Sequence, residues 1–143
     1  MIEPSPPRAE LDAYPIVVDV PIRWGDMDAF GHVNNTVFFR LFEVARIAFF
    51  DAVDFRGHAG VGPILASTSC RFRRPLGYPD TVRVGVRAAD IQEDRFTHEY
   101  LIVSRTQDAV AATGEGVIVA YDYGRAEKAP LPPDLRARIR ELT

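Results

Sequence analysis

Five short stretches of this chain have the apolar and polar pattern of β-strands. In the first, residues 18–24, valine, isoleucine and tryptophan share one side, while aspartate, proline and arginine share the other. Such alternation is typical of a strand with one buried face. Pro21 has no amide hydrogen to donate, which favours a position near a sheet edge or at a bulge. Four more strands are predicted in the runs 64–73, 82–88, 95–105 and 109–121.

Between the first two predicted strands, the spacing of apolar residues changes from that of a strand to that of a helix. Over residues 36–53, apolar side chains cover most of the circumference of a helix, and the polar stripe of Arg40, Glu43 and Arg46 is narrow. A helix with so much apolar surface is buried on most sides. We therefore expect a curved sheet to wrap around it. One helix packed against one antiparallel sheet is an α+β architecture.

A single domain, residues 15–125, accounts for these elements. Residues 1–14 hold three prolines and no apolar periodicity, which predicts a flexible N-terminal tail. Residues 126–143 are predicted to form a proline-containing linker and a short helix. A length of 143 residues fits one domain of ordinary size.

The composition argues against several classes of function. Hydrophobic residues make up 47% of the chain, as in a soluble globular protein. A net charge of −3 provides no basic field for nucleic acid or an anionic membrane. Cys70 is the only cysteine and the three histidines are widely spaced, so no disulfide and no metal site are predicted. Without signal-peptide features or an apolar run of about 20 residues, a cytoplasmic location is expected.

The segment between the first strand and the helix resembles a known family. It reads Arg-Trp-Gly-Asp-Met-Asp-Ala-Phe-Gly-His-Val-Asn-Asn over residues 23–35, and an aromatic-rich helix with Glu43 follows. This pattern resembles the 4-hydroxybenzoyl-CoA thioesterase-like branch of the hotdog superfamily. It is also similar to the His-Val-Asn-Asn segment of plant acyl-ACP thioesterases. The detailed match spans about residues 22–46, and the strand order extends it to about residue 122.

The resemblance implies a fold, a substrate and an assembly. The fold is the hotdog fold, in which a curved five-stranded antiparallel sheet wraps a long central helix. Two subunits join their sheets edge to edge and form active sites at the interface, so a homodimer or a tetramer of dimers is expected. The implied substrate is an acyl-CoA thioester. No separate cofactor is implied, because CoA is part of the substrate.

The resemblance also implies a catalytic residue. The catalytic carboxylate of this branch is the second Asp of an Asp-x-Asp segment, which falls on Asp28. His32 matches a histidine of the plant enzymes, but their intervening asparagine is Phe30 here. The three-residue network of the plant enzymes is therefore incomplete in this chain. Asp28 acts either as a general base on water or as a nucleophile that forms a mixed anhydride.

The residues themselves support the same site. Thioester hydrolysis needs an activated water or a carboxylate nucleophile, and donors for the developing oxyanion. The loop runs into the N-terminus of the long helix, where backbone amides are free and the dipole is positive. We expect the amides of Val33, Asn34 and Asn35 to polarise the carbonyl, with Asp28 on its opposite side. Gly31 is expected to supply a positive φ or a close backbone approach.

Each of these residues also has a purely structural interpretation. Asp28 would suit an Asx-turn, and Asp26 is expected to shape the loop or to pair with an arginine such as Arg23. His32 is either a donor to the substrate, an orienting partner of Asp28, or a structural histidine at the helix entry. One of the two asparagines before the helix is expected to be its N-cap. Among the nine phenylalanines, those near Phe30 and Phe38 are candidates for an acyl pocket.

A second group of candidates follows the first post-helix strand. Arginines crowd its end beside two serines, and guanidinium forks suit the phosphates of CoA. The alternative is a solvated strand end. The substrate-binding candidates of this group are Ser67, Ser69, Arg73 and Arg74, with Arg71 beside them.

Glu43 has a separate pair of interpretations. A helix glutamate is catalytic in another hotdog branch, whereas its spacing of three from Arg40 and Arg46 is typical of helix-surface ion pairs.

Three other functions remain beside acyl-CoA hydrolysis. A hydratase is disfavoured because Asp28 and His32 are four residues apart rather than five. A non-catalytic acyl-CoA or acyl-carrier-protein binding protein is the second, since fold alone does not give function. An acyl-ACP thioesterase is the third, because an acidic carrier protein also favours an arginine cluster.

Overall fold

A single antiparallel sheet curls around one long helix in the computed structural model, which describes residues 7–55 and 60–143. The strands are β1 (Ile16–Pro21), β2 (Val61–Phe72), β3 (Thr81–Ala89), β4 (Arg95–Ser104), β5 (Ala109–Asp122) and β6 (Glu127–Lys128). The helices are α1 (Pro7–Leu11), α2 (Asn35–Val53) and α3 (Pro133–Leu142), with a 3-10 turn at Trp24–Asp26.

The sheet contains the five predicted strands, although neighbours in the sheet are not always neighbours in the sequence. Its order is β1-β3-β4-β5-β2, with the two-residue β6 pairing β5. The first post-helix strand therefore lies beside β5, not beside β3. β1 and β2 form the two edges, which confirms the edge position inferred from Pro21. Five main strands pair as expected, and β6 adds a short sixth.

The long helix is the centre of the core, as its pattern predicts. Asn34 is its N-cap: its side chain accepts a hydrogen bond from the Thr36 amide at 3.0 Å. The helix ends at Asp54, whose φ of 56° is left-handed. Gly114 of β5 lets the sheet approach, because a Cβ there would overlap the ring of Phe42. Seven α2 side chains are buried: Phe38, Leu41, Phe42, Ala45, Phe49, Phe50 and Val53.

Residues 7–14 and the C-terminal segment pack on the fold more closely than the sequence predicts. Part of the expected tail forms α1, because Leu11 is buried against Leu101 and Val103 on the outer face of the sheet. The predicted C-terminal helix is present, but it is part of the main core, since Leu135 and Ile139 are fully buried. The expected domain limits themselves remain predictions.

Trp24 does not continue the buried face of β1; it lies in the 3-10 turn and is 77% exposed. His58 lies outside the described residues. No helix in the described ranges is both long and apolar enough to cross a membrane.

Candidate functional site

The loop that carries Asp28 is closed by its own backbone. The Asp28 amide donates to the His32 carbonyl at 2.7 Å, and Met27 and Val33 form an isolated antiparallel bridge. Oδ1 of Asp28 accepts hydrogen bonds from the amides of Phe30 (2.8 Å) and His32 (3.2 Å). The Asx-turn expected for Asp28 is therefore present. It fixes one carboxylate oxygen, while no donor among the described residues occupies Oδ2.

Asp26 anchors this loop to the helix rather than taking part in the cleft. Its buried carboxylate pairs with the guanidinium of Arg40, and its Oδ2 accepts from the Arg23 amide at 2.8 Å. The structural interpretation of Asp26 thus holds. Arg23, the arginine named as an example, contributes only its backbone amide, and the ion pair is formed by Arg40 instead.

The helix N-terminus offers fewer free amides than expected. The Val33 amide donates to the Leu76 carbonyl at 2.8 Å, and the Asn34 amide donates to the Asp26 carbonyl at 2.9 Å. Both amides are therefore already engaged by backbone carbonyls. The Asn35 amide opens the first turn of α2, where a helix provides no internal acceptor. No acceptor for it exists among the described residues, so the Asn35 amide is the one of the three that is left free for a ligand.

A cleft of about 270 Å³ lies between this loop and the end of β2. It brings together two groups of predicted residues that are about 40 positions apart in sequence. Phe38 and Phe72 form its apolar wall, their rings 4.9 Å apart and nearly perpendicular. The predicted residues that line it are Asp28, His32, Val33, Asn35, Arg73 and Arg74, with Pro75 completing the rim.

Other predicted residues lie outside this cleft. Gly31 has the expected positive φ, 81°, but it shapes the loop and does not line the cleft. Asn34 serves as the helix cap. Ser69 lines a groove on the opposite face of the sheet, and Ser67 lines neither that groove nor the cleft. Phe30 is 85% exposed and is not part of the cleft wall.

The turn between β4 and β5 contacts the rim of the cleft near Pro75. This contact was not predicted from the sequence. The Gln107 side-chain amide donates to the Pro75 carbonyl at 2.8 Å. The Asp80 carboxylate accepts from the Ser104 hydroxyl at 2.5 Å and from the Thr106 amide at 3.1 Å. This clamp fixes the segment that carries the cleft arginines. Its sequence signal is the turn Thr106-Gln107-Asp108, which predicts a hairpin but no contact with residues about 30 positions away.

Glu43 lies in a different concavity, between α2 and the edge strand β2. It forms an ion pair with Arg46 at 3.6 Å, which supports the helix-surface interpretation. Arg46 also donates to the Tyr100 hydroxyl at 3.4 Å, and that hydroxyl lies 3.3 Å from Nδ1 of His98. Burial lowers the pKa of His98 to about 3, and the Arg46 charge adds to this effect. His98 is therefore neutral and belongs to the core.

No cluster of three or more histidine, cysteine or carboxylate residues suited to a metal ion occurs within residues 7–55 and 60–143. The cleft arrangement instead combines one carboxylate, one free amide and two guanidiniums. Such a set can activate water or attack a carbonyl, stabilise an oxyanion and bind an anionic group.

Comparison with known proteins gives a consistent result. The sequence profile of a family described as the thioesterase-like superfamily matches residues 22–139. A protein of Aquifex aeolicus (strain VF5) is 26% identical over 92 residues, which is 62% of this chain and 72% of that protein.

Solved structures extend the similarity to almost the whole chain. A thioesterase from Thermus thermophilus, complexed with coenzyme A and Zn, is 36% identical over 90% of this chain and 95% of its own, with a TM-score of 0.79. The PA2801 protein of Pseudomonas aeruginosa is 28% identical over 88% of this chain and 98% of its own, with a TM-score of 0.80. The curled sheet and central helix are thus shared with these proteins.

Proposed function

This chain belongs to the thioesterase-like superfamily and has the hotdog fold, and from that premise we propose that it hydrolyses an acyl-CoA thioester with Asp28 as its catalytic carboxylate. The observation that carries this proposal is that Asp28 and Asn35, the residue with the free amide, line one cleft. A carboxylate and an oxyanion donor in one cleft are what hydrolysis of a thioester needs.

The geometry around Asp28 supports a defined role for each oxygen. Oδ1 is engaged by two backbone amides, which orient the carboxylate. Oδ2 is then available to the cleft. As a base, it accepts a proton from the water that attacks the carbonyl carbon. The oxyanion that forms faces the Asn35 amide, and its collapse breaks the carbon–sulfur bond and releases the CoA thiolate, which takes up a proton.

The nucleophilic alternative uses the same oxygen. Oδ2 attacks the carbonyl carbon, the thiolate leaves, and the mixed anhydride with Asp28 is hydrolysed by water to regenerate the carboxylate. His32 is exposed and lines the cleft, but its ring makes no hydrogen bond with another described residue. In both mechanisms we assign Asp28 the essential role. His32 donates to the substrate in this proposal and orients Asp28 only through its backbone amide.

CoA as the leaving group is supported by charge and by similarity. Arg73 and Arg74 line the cleft, and neither makes an ion pair with a described residue. The Thermus thermophilus thioesterase, 36% identical, is complexed with coenzyme A. Guanidinium groups without a protein partner are suited to phosphate. The acyl group would lie against Phe38 and Phe72.

A homodimer is part of this proposal. β2 is an edge strand of 12 residues, and its exposed stretch includes Leu65 beside the open face of α2. A long unpaired edge next to apolar side chains is a surface that another strand can extend. Pairing of two β2 edges would join two sheets, as the family resemblance implies. The cytoplasmic location expected from the sequence also stays a prediction.

The test is thiol release from a panel of short-chain, long-chain and aryl acyl-CoA thioesters. We expect Asp28→Asn to lower kcat by roughly 10²–10⁴-fold, because the substitution removes the base or nucleophile. The matched control is Glu127→Gln, an exposed carboxylate on β6 that does not line the cleft. Near wild-type turnover by Asp28→Asn would contradict the proposal. Binding of acyl-CoA without turnover by the wild-type protein would favour the non-catalytic alternative.

A further inference from the structure

A second concavity lies on the face of the sheet opposite to the long helix. Along the end of β2, Phe72 points towards α2, where its ring meets Phe38. Because side chains alternate along a strand, Arg71 points to the other face, and Arg73 directly follows the end of β2. There they line a groove of about 380 Å³ together with Ser69, Arg87, Glu99 and Glu115. This outer groove is larger than the Asp28 cleft.

The charges of the outer groove are unevenly paired. Arg87 forms an ion pair with Glu99 at 2.9 Å, and its guanidinium stacks 4.5 Å over the ring of Tyr14. Arg71 and Arg73 form no ion pair with a carboxylate among the described residues. Three guanidiniums therefore face two carboxylates, Glu99 and Glu115. The unpaired positive charge lies on the β2 side of the groove.

The outer groove and the Asp28 cleft share one lining residue. Arg73 lines both concavities. A ligand whose reactive end lies at Asp28 can therefore pass over the end of β2 and reach Arg71. CoA has the required form, because its thioester end and its nucleotide phosphates are separated by the pantetheine arm.

We propose that the outer groove binds the nucleotide phosphates of CoA, with Arg71 as the main ligand and Arg73 at the crossing between the two concavities. This inference rests on the proposed function and deepens it, since it selects CoA over an acyl carrier protein. The phosphates of one small ligand can contact the guanidiniums alone. The broad acidic surface of a carrier protein would instead face Glu99 and Glu115, and like charges across an interface are unfavourable.

The first experiment measures binding of CoA itself, independently of turnover. Titration calorimetry compares CoA with pantetheine, which lacks the nucleotide, on wild-type protein and on Arg71→Gln. We expect wild-type protein to bind CoA more tightly than pantetheine, and Arg71→Gln to weaken CoA about tenfold or more, as for hydrogen bonds between charged groups. Pantetheine binding should not change. The control is Arg83→Gln, a half-exposed arginine on the same sheet face that pairs with Asp19 and does not line the groove.

The second experiment uses turnover. For Arg71→Gln, we expect kcat/KM to fall about tenfold with acyl-CoA, through KM, and to stay unchanged with the matching acyl-N-acetylcysteamine thioester. Equal loss with both substrates, or unchanged CoA binding by calorimetry, would overturn the inference. A loss confined to an acyl-carrier-protein substrate would also overturn it. If the wild-type protein hydrolyses nothing but Arg71→Gln still weakens CoA alone, the proposed catalysis fails and the binding site stands.

Discussion

Asp26 and Arg40, fourteen residues apart, form an ion pair that ties the Asp28 loop to the first turns of α2. The two partners differ in exposure: the Asp26 side chain is 7% exposed and that of Arg40 is 52% exposed. Asp26 also receives hydrogen bonds from the backbone amides of Arg23 and Asn34. One carboxylate residue thus holds the beginning and the end of the loop that presents the catalytic candidate.

Replacing Asp26 should destabilise the protein. We expect Asp26→Ala to lower the free energy of unfolding by about 1–3 kcal/mol, because the Arg23 amide and the Arg40 guanidinium lose their acceptor, while the Asn34 amide keeps the Asp26 carbonyl. Arg40→Ala should have a smaller effect, because the Asp26 carboxylate keeps the hydrogen bond from the Arg23 amide. Urea unfolding of both variants measures the difference. An Arg40→Ala effect larger than that of Asp26→Ala would show that the ion pair, rather than the backbone contacts, holds the loop.

The two glycines of the loop offer a matched pair of substitutions. Gly31 has a φ of 81°, whereas Gly25 has no positive φ, and no atom outside its chain neighbours lies within 4 Å of a Cβ built at either position. We expect Gly31→Ala to lower the free energy of unfolding by roughly 1–2 kcal/mol, the cost of a left-handed residue with a Cβ. Gly25→Ala should leave it nearly unchanged. If denaturant unfolding gave the same free energy for both variants, the positive φ of Gly31 would not be the cause of its effect on stability.

The clamp on the cleft rim should influence substrate binding more than stability. Gln107→Glu preserves the side-chain shape but cannot donate to the Pro75 carbonyl. A neutral hydrogen bond contributes about 1 kcal/mol, so we expect kcat/KM for acyl-CoA to fall roughly fivefold, mainly through KM. The control with the same charge change is Gln92→Glu, in the β3–β4 connection. A fall in kcat with unchanged KM would assign Gln107 a role in the chemical step.

His98 should make stability depend on pH in a defined range. Its pKa is lowered from 6.5 to about 3 in the folded protein, so between these values the unfolded chain binds a proton that the folded chain does not. The contribution of neutral His98 is therefore complete above pH 6.5 and is lost progressively as the pH falls below it. The added slope is about 1.4 kcal/mol per pH unit for one proton.

The variant His98→Phe isolates this effect. Phe49, Phe50 and Phe96 surround the imidazole, so a phenyl ring fits the site chemically. Urea unfolding of both proteins between about pH 7 and pH 4.5 should give a smaller decrease for the variant. The carboxylates titrate in both proteins and cancel in the difference. Parallel curves would mean that His98 is protonated in the folded state, with a charge accommodated beside Arg46.

The fold and the Asp28 loop were predictable because their signals are local. Strand alternation, the apolar helix and the Asx and N-cap residues each depend on neighbours within a few positions. The Arg40 pairing was not predictable, because the helix turn that faces Asp26 is set by tertiary packing. Likewise, Leu11 is a single apolar residue in a polar segment and has no periodic signal, although it packs beside Tyr14 on the outer face.

The faces on which the β2 side chains lie could not be predicted from the sequence, for a different reason. The pairing of β2 with β5 shifts between Leu65 and Ser67. One extra residue exchanges the two faces of a strand, so alternation read from Ile64 onwards assigns later side chains to the wrong side. Leu65 lies on the α2 side, and simple alternation from it would place Ser69 there too, whereas Ser69 lines the groove on the other face. The serines could be separated from the catalytic cleft only once the register was known.

Arg73 borders both the Asp28 cleft and the outer groove. This double position limits which substitutions could change the substrate preference. In the proposed function, a substitution of Arg73 would change both the binding of CoA and the shape of the Asp28 cleft. Phe38 and Phe72 border only the Asp28 cleft. If the proposed function holds, substitutions at these two rings would change the acyl preference, by evolution or engineering, and leave the contacts with CoA unchanged.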